Sequence, residues 1–306
     1  VNVLDTEYQT ITGWGISPFY VSDSDFRAFS EYDQWPEMYN KVYGELGITS
    51  VRVPIDAACG YTEEPSDPAE PNTSELGYIV KYIERAKDFG IDDWIICFWD
   101  PPAYMEGTEY ISDRGADLHV LKDEYKDDYC RYIVNILDYL KSAGVGMPKG
   151  LCFQNEPQAG NNTPFYTTDK YKYVAKKLRT LLDENGYVDV PIEGPETVSY
   201  WSCFRYTGGS NASASGGGGF NYSNFRNDAD YKNAIGVISM HTYTESNSRD
   251  ADITKFASEV SDVFPDHERW MTEYSGLGAE CTVGSTTDYV MGPALSTMRV
   301  LSSDIG

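Results

Sequence analysis

Positive charge is scarce in this chain: 24 Lys and Arg stand against 48 Asp and Glu, a formal net charge of −24 over 306 residues. A surface so acidic repels nucleic acid and anionic membranes, whose binding relies on Lys and Arg meeting phosphates. Those two partner classes are set aside, and neutral or cationic partners are favoured. No run of about 18 uncharged apolar residues is present to span a bilayer, so the reading is of a soluble chain, a monomer. Histidine is rare. His119, His241 and His267 show neither HxH nor HExxH spacing, and the six cysteines (Cys59, Cys97, Cys130, Cys152, Cys203 and Cys281) contain no CxxC pair. The expectation is therefore no metal and no cofactor, with most cysteines as buried free thiols. The glycine row 216–219 has no Lys-Ser/Thr after it and reads as a flexible loop, not a phosphate cradle. No basic segment followed by an apolar one opens the chain at Val1, so it begins as a mature or trimmed sequence would.

What is present is aromatic: 25 Tyr, 6 Trp and 12 Phe. Rings suit the C–H faces of neutral sugars, although most rings in any protein serve its core. Short β-rich runs alternate with amphipathic helical stretches, the pattern of a parallel α/β sheet or barrel. Seven strands are predicted, at 10–16, 49–55, 93–99, 150–155, 189–194, 236–241 and 269–274. Each is compact and apolar on both faces, as strands covered by helices must be. A helix capped by Ser74 carries Leu76, Ile79, Val80 and Ile83 and stops at Gly90. Two more, 122–143 and 169–185, end before Gly144 and Gly186. Shorter helices are placed near 36–46, 228–234 and 252–264, and a last one over 287–303. Long loops follow several strands, at 56–73, 100–121 and 207–224. The predicted fold is a (β/α)8 TIM-type barrel forming a single catalytic domain over residues 1–306. Its eighth strand is missing from the pattern, and the chain is expected to be truncated at its C-terminus.

In such a barrel the strand C-termini open on one face, where loops build the active site. The polar residues found there are Arg52, Asp56, Trp99, Asp100, Asn155, Glu156, Glu196, His241, Tyr243 and Glu273. Glu156 and Glu273 each close an apolar strand, a costly place for a charge unless it faces a polar cavity. Glycoside hydrolysis needs two carboxyl groups, one to give a proton and one to attack the anomeric carbon. Asn155 beside Glu156 supplies a donor for a sugar 2-hydroxyl. Arg52 is placed either to orient Glu273 or to form a structural salt bridge. His241 is open to three readings, core residue, sugar contact or metal ligand, of which the missing spacing disfavours the last. Tyr104, Trp201, Phe204 and Tyr206 are stacking platforms or loop-packing residues.

The segments ITGWGIS (11–17), GITSVRVPID (47–56), FWDPPAYM (98–105), CFQNEP (152–157), SMHTY (239–243) and WMTEYSG (270–276) resemble, in order and over nearly the whole chain, glycoside hydrolase family 30. The resemblance implies a retaining, metal-free double displacement, with Glu156 as acid/base and Glu273 as nucleophile. It also implies sugar contacts from Arg52, Trp99, Asn155, His241 and Tyr243. Members of that family carry an eighth strand and a C-terminal β-sandwich side domain, neither of which is visible here. The expected substrate is a β-linked polysaccharide, xylan or another plant cell-wall β-glycan. The alternatives are an exo-β-glycosidase, a β-1,6-glucanase or galactanase, and a carbohydrate-binding barrel without activity. An extracellular location follows from that function.

Overall fold

The computed structural model describes residues 12–17, 37, 39–112, 114–160, 163–198, 225, 227–241 and 263–273. Nine strands occur among them: β1 (Gly15–Ile16), β2 (Ser50–Ile55), β3 (Asp93–Phe98), β4 (Glu106–Ile111), β5 (Ala116–Leu121), β6 (Gly150–Cys152), β7 (Ile192–Thr197), β8 (Ile235–His241) and β9 (Glu268–Glu273). Seven form one sheet in the order β1-β2-β3-β6-β7-β8-β9, and every pairing in it is parallel. Four helices lie between them, α1 (Thr73–Asp88), α2 (Lys126–Ser142), α3 (Thr168–Glu184) and α4 (Ala229–Ala234).

The sheet is curled. Arg52 on β2 reaches Glu273 on β9 at 2.5 Å, although β3, β6, β7 and β8 stand between those strands in the sheet. Gly150, the first residue of β6, faces the ring of Trp270 on β9, and a Cβ there would sit 2.5 Å from Trp270 Cζ3. Only glycine lets the ring fill that part of the interior. Seven parallel strands wrapped round one interior, with helices outside, are a TIM-type barrel as far as the described residues extend.

Each helix buries one stripe at three- and four-residue spacing. The stripes are Leu76, Ile79, Ile83 and Ala86 on α1; Tyr129, Ile133, Ile136 and Leu140 on α2; and Tyr171, Val174, Leu178 and Leu182 on α3. Gly90, Gly144 and Gly186, expected as stops, all have left-handed φ values of 79° to 86°, the conformation that closes a helix. The start of α1 differs from expectation. Its cap position is Asn72, and Ser74 Oγ instead donates to Asn72 Oδ1 at 2.6 Å. The helix expected from 122 begins at Lys126 after a 3-10 turn, Asp123–Tyr125. A turn of π-helix, Asn40–Glu45, occupies part of the 36–46 stretch.

Two further expectations are corrected. The loop predicted over 100–121 contains an antiparallel hairpin, β4 and β5, whose Leu118 and Val120 bury against Phe165. The strand predicted at 189–194 runs instead from Ile192 to Thr197. Pro195 and two glutamates disguise it, since they read as loop but face a polar interior, and its register with β8 shifts on both sides of Pro195. Cys59, Cys97, Cys130 and Cys152 are buried free thiols, as expected. Cys203, Cys281, the glycine row, the 287–303 helix and most of 252–264 lie outside the described residues. Among the described residues, no helix is long and apolar enough to cross a membrane.

Candidate active site

The C-terminal ends of β2, β3, β6, β7, β8 and β9 deliver their polar side chains to one place. From β2, Arg52 is buried, and its guanidinium spreads over three partners: Nη1 to Glu273 Oε1 at 2.5 Å, and Nη2 to Asn155 Oδ1 and Cys97 Sγ, both at 2.9 Å. Burial opposes its charge, but the groups around it, Cys97, Glu273 and Glu196 foremost, keep it protonated well above the ordinary arginine range. Asn155 is held by its own backbone N–H, which donates to Phe98 O at 2.7 Å. With Oδ1 engaged by Arg52, its Nδ2 has no protein partner among the described residues. A buried amide donor left open in this way is suited to a ligand hydroxyl.

Glu156 follows Asn155 with φ +43°, a left-handed backbone that a non-glycine residue adopts at some cost. Its N–H donates to Glu196 O at 3.0 Å, and its Oε1 lies 3.0 Å from His241 Nδ1. His241 is buried, with Nε2 2.8 Å from Glu196 Oε2 and Nδ1 3.6 Å from Glu273 Oε2. Burial alone would lower its pKa. Hydrogen bonds to Glu156 and Glu196 and the charges of Glu273 and Glu196 outweigh that and push it up to about 9. The ring is therefore an imidazolium at neutral pH. One ligand-type atom from each of Glu156, His241 and Glu273 lies within 4.8 Å of the others. Such a trio is able to hold a cation. Here, however, His241 would first have to shed its proton, and Glu273 already has the Arg52 cation.

Two more acids adjoin the trio: Glu196, expected on this face at a strand end, and Glu193, which the sequence does not single out. Both are buried. Burial would raise Glu196, yet His241 and Arg52, with a hydrogen bond from Thr272, hold it below the usual carboxylate range. Glu193 has no hydrogen-bond partner among the described residues, and burial followed by repulsion from Glu196 holds it neutral, well above that range. The only sequence signal for either was a pair of glutamates flanking Gly-Pro where a strand should end. On the β3 side, Asp100 is raised to about 6 by burial and then by Asp56. Glu106 is raised to about 7 by burial and then by Asp100.

Of the expected site residues, Arg52, Asn155, Glu156, His241 and Glu273 thus converge. Trp99 stands half-buried beside them, its backbone N–H donating to Ile55 O at 2.7 Å. Of the two readings open to Tyr104, its contacts are those of loop packing: its ring meets Tyr125 edge-on at 5.7 Å and its hydroxyl donates to Pro68 O. His241 is wholly buried, its Nδ1 3.0 Å from Glu156 Oε1 and its Nε2 2.8 Å from Glu196 Oε2, which makes it a partner of the acids. Tyr243 and Trp201, with Phe204 and Tyr206, lie outside the described residues.

No family model matches the chain, and neither does any curated protein. Solved structures do. The chain resembles a GH30 endoxylanase from Clostridium papyrosolvens at 20% identity and TM-score 0.67, over 98% of this chain and 64% of that one. It resembles an endo-β-1,6-glucanase at 17% identity and TM-score 0.63, over 88% and 58%. A conserved exported protein from Bacteroides fragilis superposes at TM-score 0.73 with 15% identity, over 98% and 68%. The chain shares the barrel fold of these structures. The chain spans less than two thirds of the length of the first two.

Proposed function

We propose that the chain is a retaining β-glycoside hydrolase acting on a β-linked polysaccharide, xylan or another plant cell-wall β-glycan. The observation that carries this reading is that one carboxylate oxygen of Glu156 and one of Glu273 lie within 4.8 Å of each other. Retaining enzymes set their two carboxyl groups about 5–5.5 Å apart, whereas inverting ones leave about 6.5–9.5 Å for a water. Glu273 is the nucleophile: Arg52 fixes one of its oxygens, so the other is aimed at the anomeric carbon. Glu156 gives its proton to the departing glycosidic oxygen. It then takes one from the water that opens the glycosyl-enzyme. Asn155 Nδ2 donates to the 2-hydroxyl, a contact that strengthens as the ring flattens. No step calls for a metal.

A β-1,6-glucan is the second reading, favoured by the likeness to an endo-β-1,6-glucanase. A polymeric substrate places the enzyme outside the cell. The test is Glu273→Ala against the unaltered protein on a panel of β-glycans with product sizing. The variant should lose turnover, and azide should restore it with products of inverted configuration. Full activity in Glu273→Ala would refute the assignment.

A further inference from the structure

We propose that Glu196 is a positioning residue that holds His241 as a double proton donor, so that the imidazole claims Glu156 Oε1 and leaves Oε2 to carry the transferable proton. The role of that proton rests on the glycosidase reading, whereas the bridge itself does not. His241 sits between two carboxylates, 3.0 Å from Glu156 and 2.8 Å from Glu196. A neutral imidazole has one N–H and would set a lone pair against one of those oxygens. Only the doubly protonated ring satisfies both.

Glu196 is built to keep its half of the bridge. Its φ is +52°, the same left-handed strain seen at Glu156, and the two strained residues are tied by the Glu156 N–H to Glu196 O bond at 3.0 Å. Its Oε2 also accepts from Thr272 Oγ1 on β9. Strain of this kind persists only where the surroundings over-determine it, and it concentrates at functional sites. The groups facing the bridge are Arg52 from β2, Glu156 after β6, Glu193 from β7, and Glu273, 3.6 Å from Nδ1, from β9. Glu193 is held neutral by its burial, and Arg52 and His241 are the cations that face the remaining carboxyl groups. Removing the Glu196 anion removes the charge that faces Nε2 and so weakens the hold on the second imidazole proton. A neutral ring with its proton on Nε2 sets its Nδ1 lone pair toward Glu156 and accepts a hydrogen bond from the carboxyl proton, which competes with its delivery to the leaving group.

Nuclear magnetic resonance of the imidazole nitrogens tests this directly, since the chain has three histidines and needs no substrate for the measurement. In the unaltered protein His241 should stay doubly protonated at neutral pH and titrate near 9. In Glu196→Gln the titration should move down from that value. Turnover should drop by on the order of 10²-fold on substrates with poor leaving groups and by less than about 10-fold on activated aryl glycosides. Thr272→Val, which removes the other hydroxyl bond to Glu196, should shift both readouts the same way by less. A His241 that is neutral at pH 7 in the unaltered protein overturns the proposal, and that result does not require any variant to fold. An unmoved titration in Glu196→Gln, or an equal loss on both substrate types, overturns it as well. Failure of the unaltered protein to cleave any glycoside would instead sink the glycosidase reading, and the titration tells the two failures apart.

Discussion

Arg52 is the residue on which the nucleophile's geometry turns. Its planar fork reaches Glu273 with one nitrogen and Asn155 with the other, which locks the nucleophile to the residue assigned to the sugar 2-hydroxyl. Lysine offers a single compact charge and cannot span both. Arg52→Lys should therefore keep a cation in the barrel yet release Asn155. A misplacement of about 1 Å at a reacting group costs roughly 10²-fold in rate. The expected outcome is a fall of that order in kcat/KM, carried mainly by kcat, in steady-state kinetics on the best polysaccharide of the panel. An unchanged kcat would mean that Arg52 serves only as a structural ion pair, the other reading its position allowed. Tyr104 marks the limit of residue identity: for an aromatic two residues after Pro-Pro, stacking and loop packing were both open, and its hydroxyl bonds a backbone carbonyl.

Among the elements, strands that are apolar on both faces were legible because helices cover the outside and the barrel fills the inside. β2, β3, β8 and β9 fall within a residue or two of their expected places, and the three glycine stops mark the ends of the long helices. What hid was polar. β7 reads IEGPET, and its Glu193 and Glu196 belong to the interior only because Arg52 and His241 arrive from other strands to meet them. Nothing local announces those partners. The β4–β5 hairpin was missed for a related reason, since its faces are mixed and its few apolar residues answer to Phe165, remote in sequence. The interior also explains Gly150. Alanine there would drive a Cβ into the Trp270 ring, a rigid neighbour, with Ile95 Cγ2 at 3.6 Å as well. Gly150→Ala should cost about 1–3 kcal/mol of stability, the usual penalty of overpacking. Gly77 within α1 is the control. A Cβ there meets nothing within 4 Å, so Gly77→Ala should stabilise by up to about 1 kcal/mol through helix propensity. Urea titrations of both variants decide the matter; equal effects would mean that Trp270 yields.

For the whole molecule, the buried charges set how stability depends on pH, and their signs work mostly in one direction. His241 is raised to about 9 in the folded chain from an ordinary 6.5. Its contribution is fully present below 6.5 and is lost as pH rises through 9, on the order of 3 kcal/mol for a shift of that size. Asp100, raised to about 6, and Glu106, raised to about 7, bind protons that the unfolded chain has already released, so folding loses ground as pH climbs through those ranges. Glu193 acts in the same sense. Against them, Glu196, Asp67, Asp123 and Asp228 are lowered, and their contributions are lost only as pH falls below the ordinary carboxylate range. The net charge of −24 adds self-repulsion that grows as carboxyl groups ionise. Stability should therefore peak near about pH 5 and decline steadily toward about pH 9. Urea unfolding at a series of pH values checks the slope, and molar salt separates its sources. Salt screens exposed charges within a few ångströms but not buried ones, so the decline between 6.5 and 9 should survive it in the unaltered protein and flatten in Glu196→Gln. A slope abolished by salt would assign it to the surface instead of to His241.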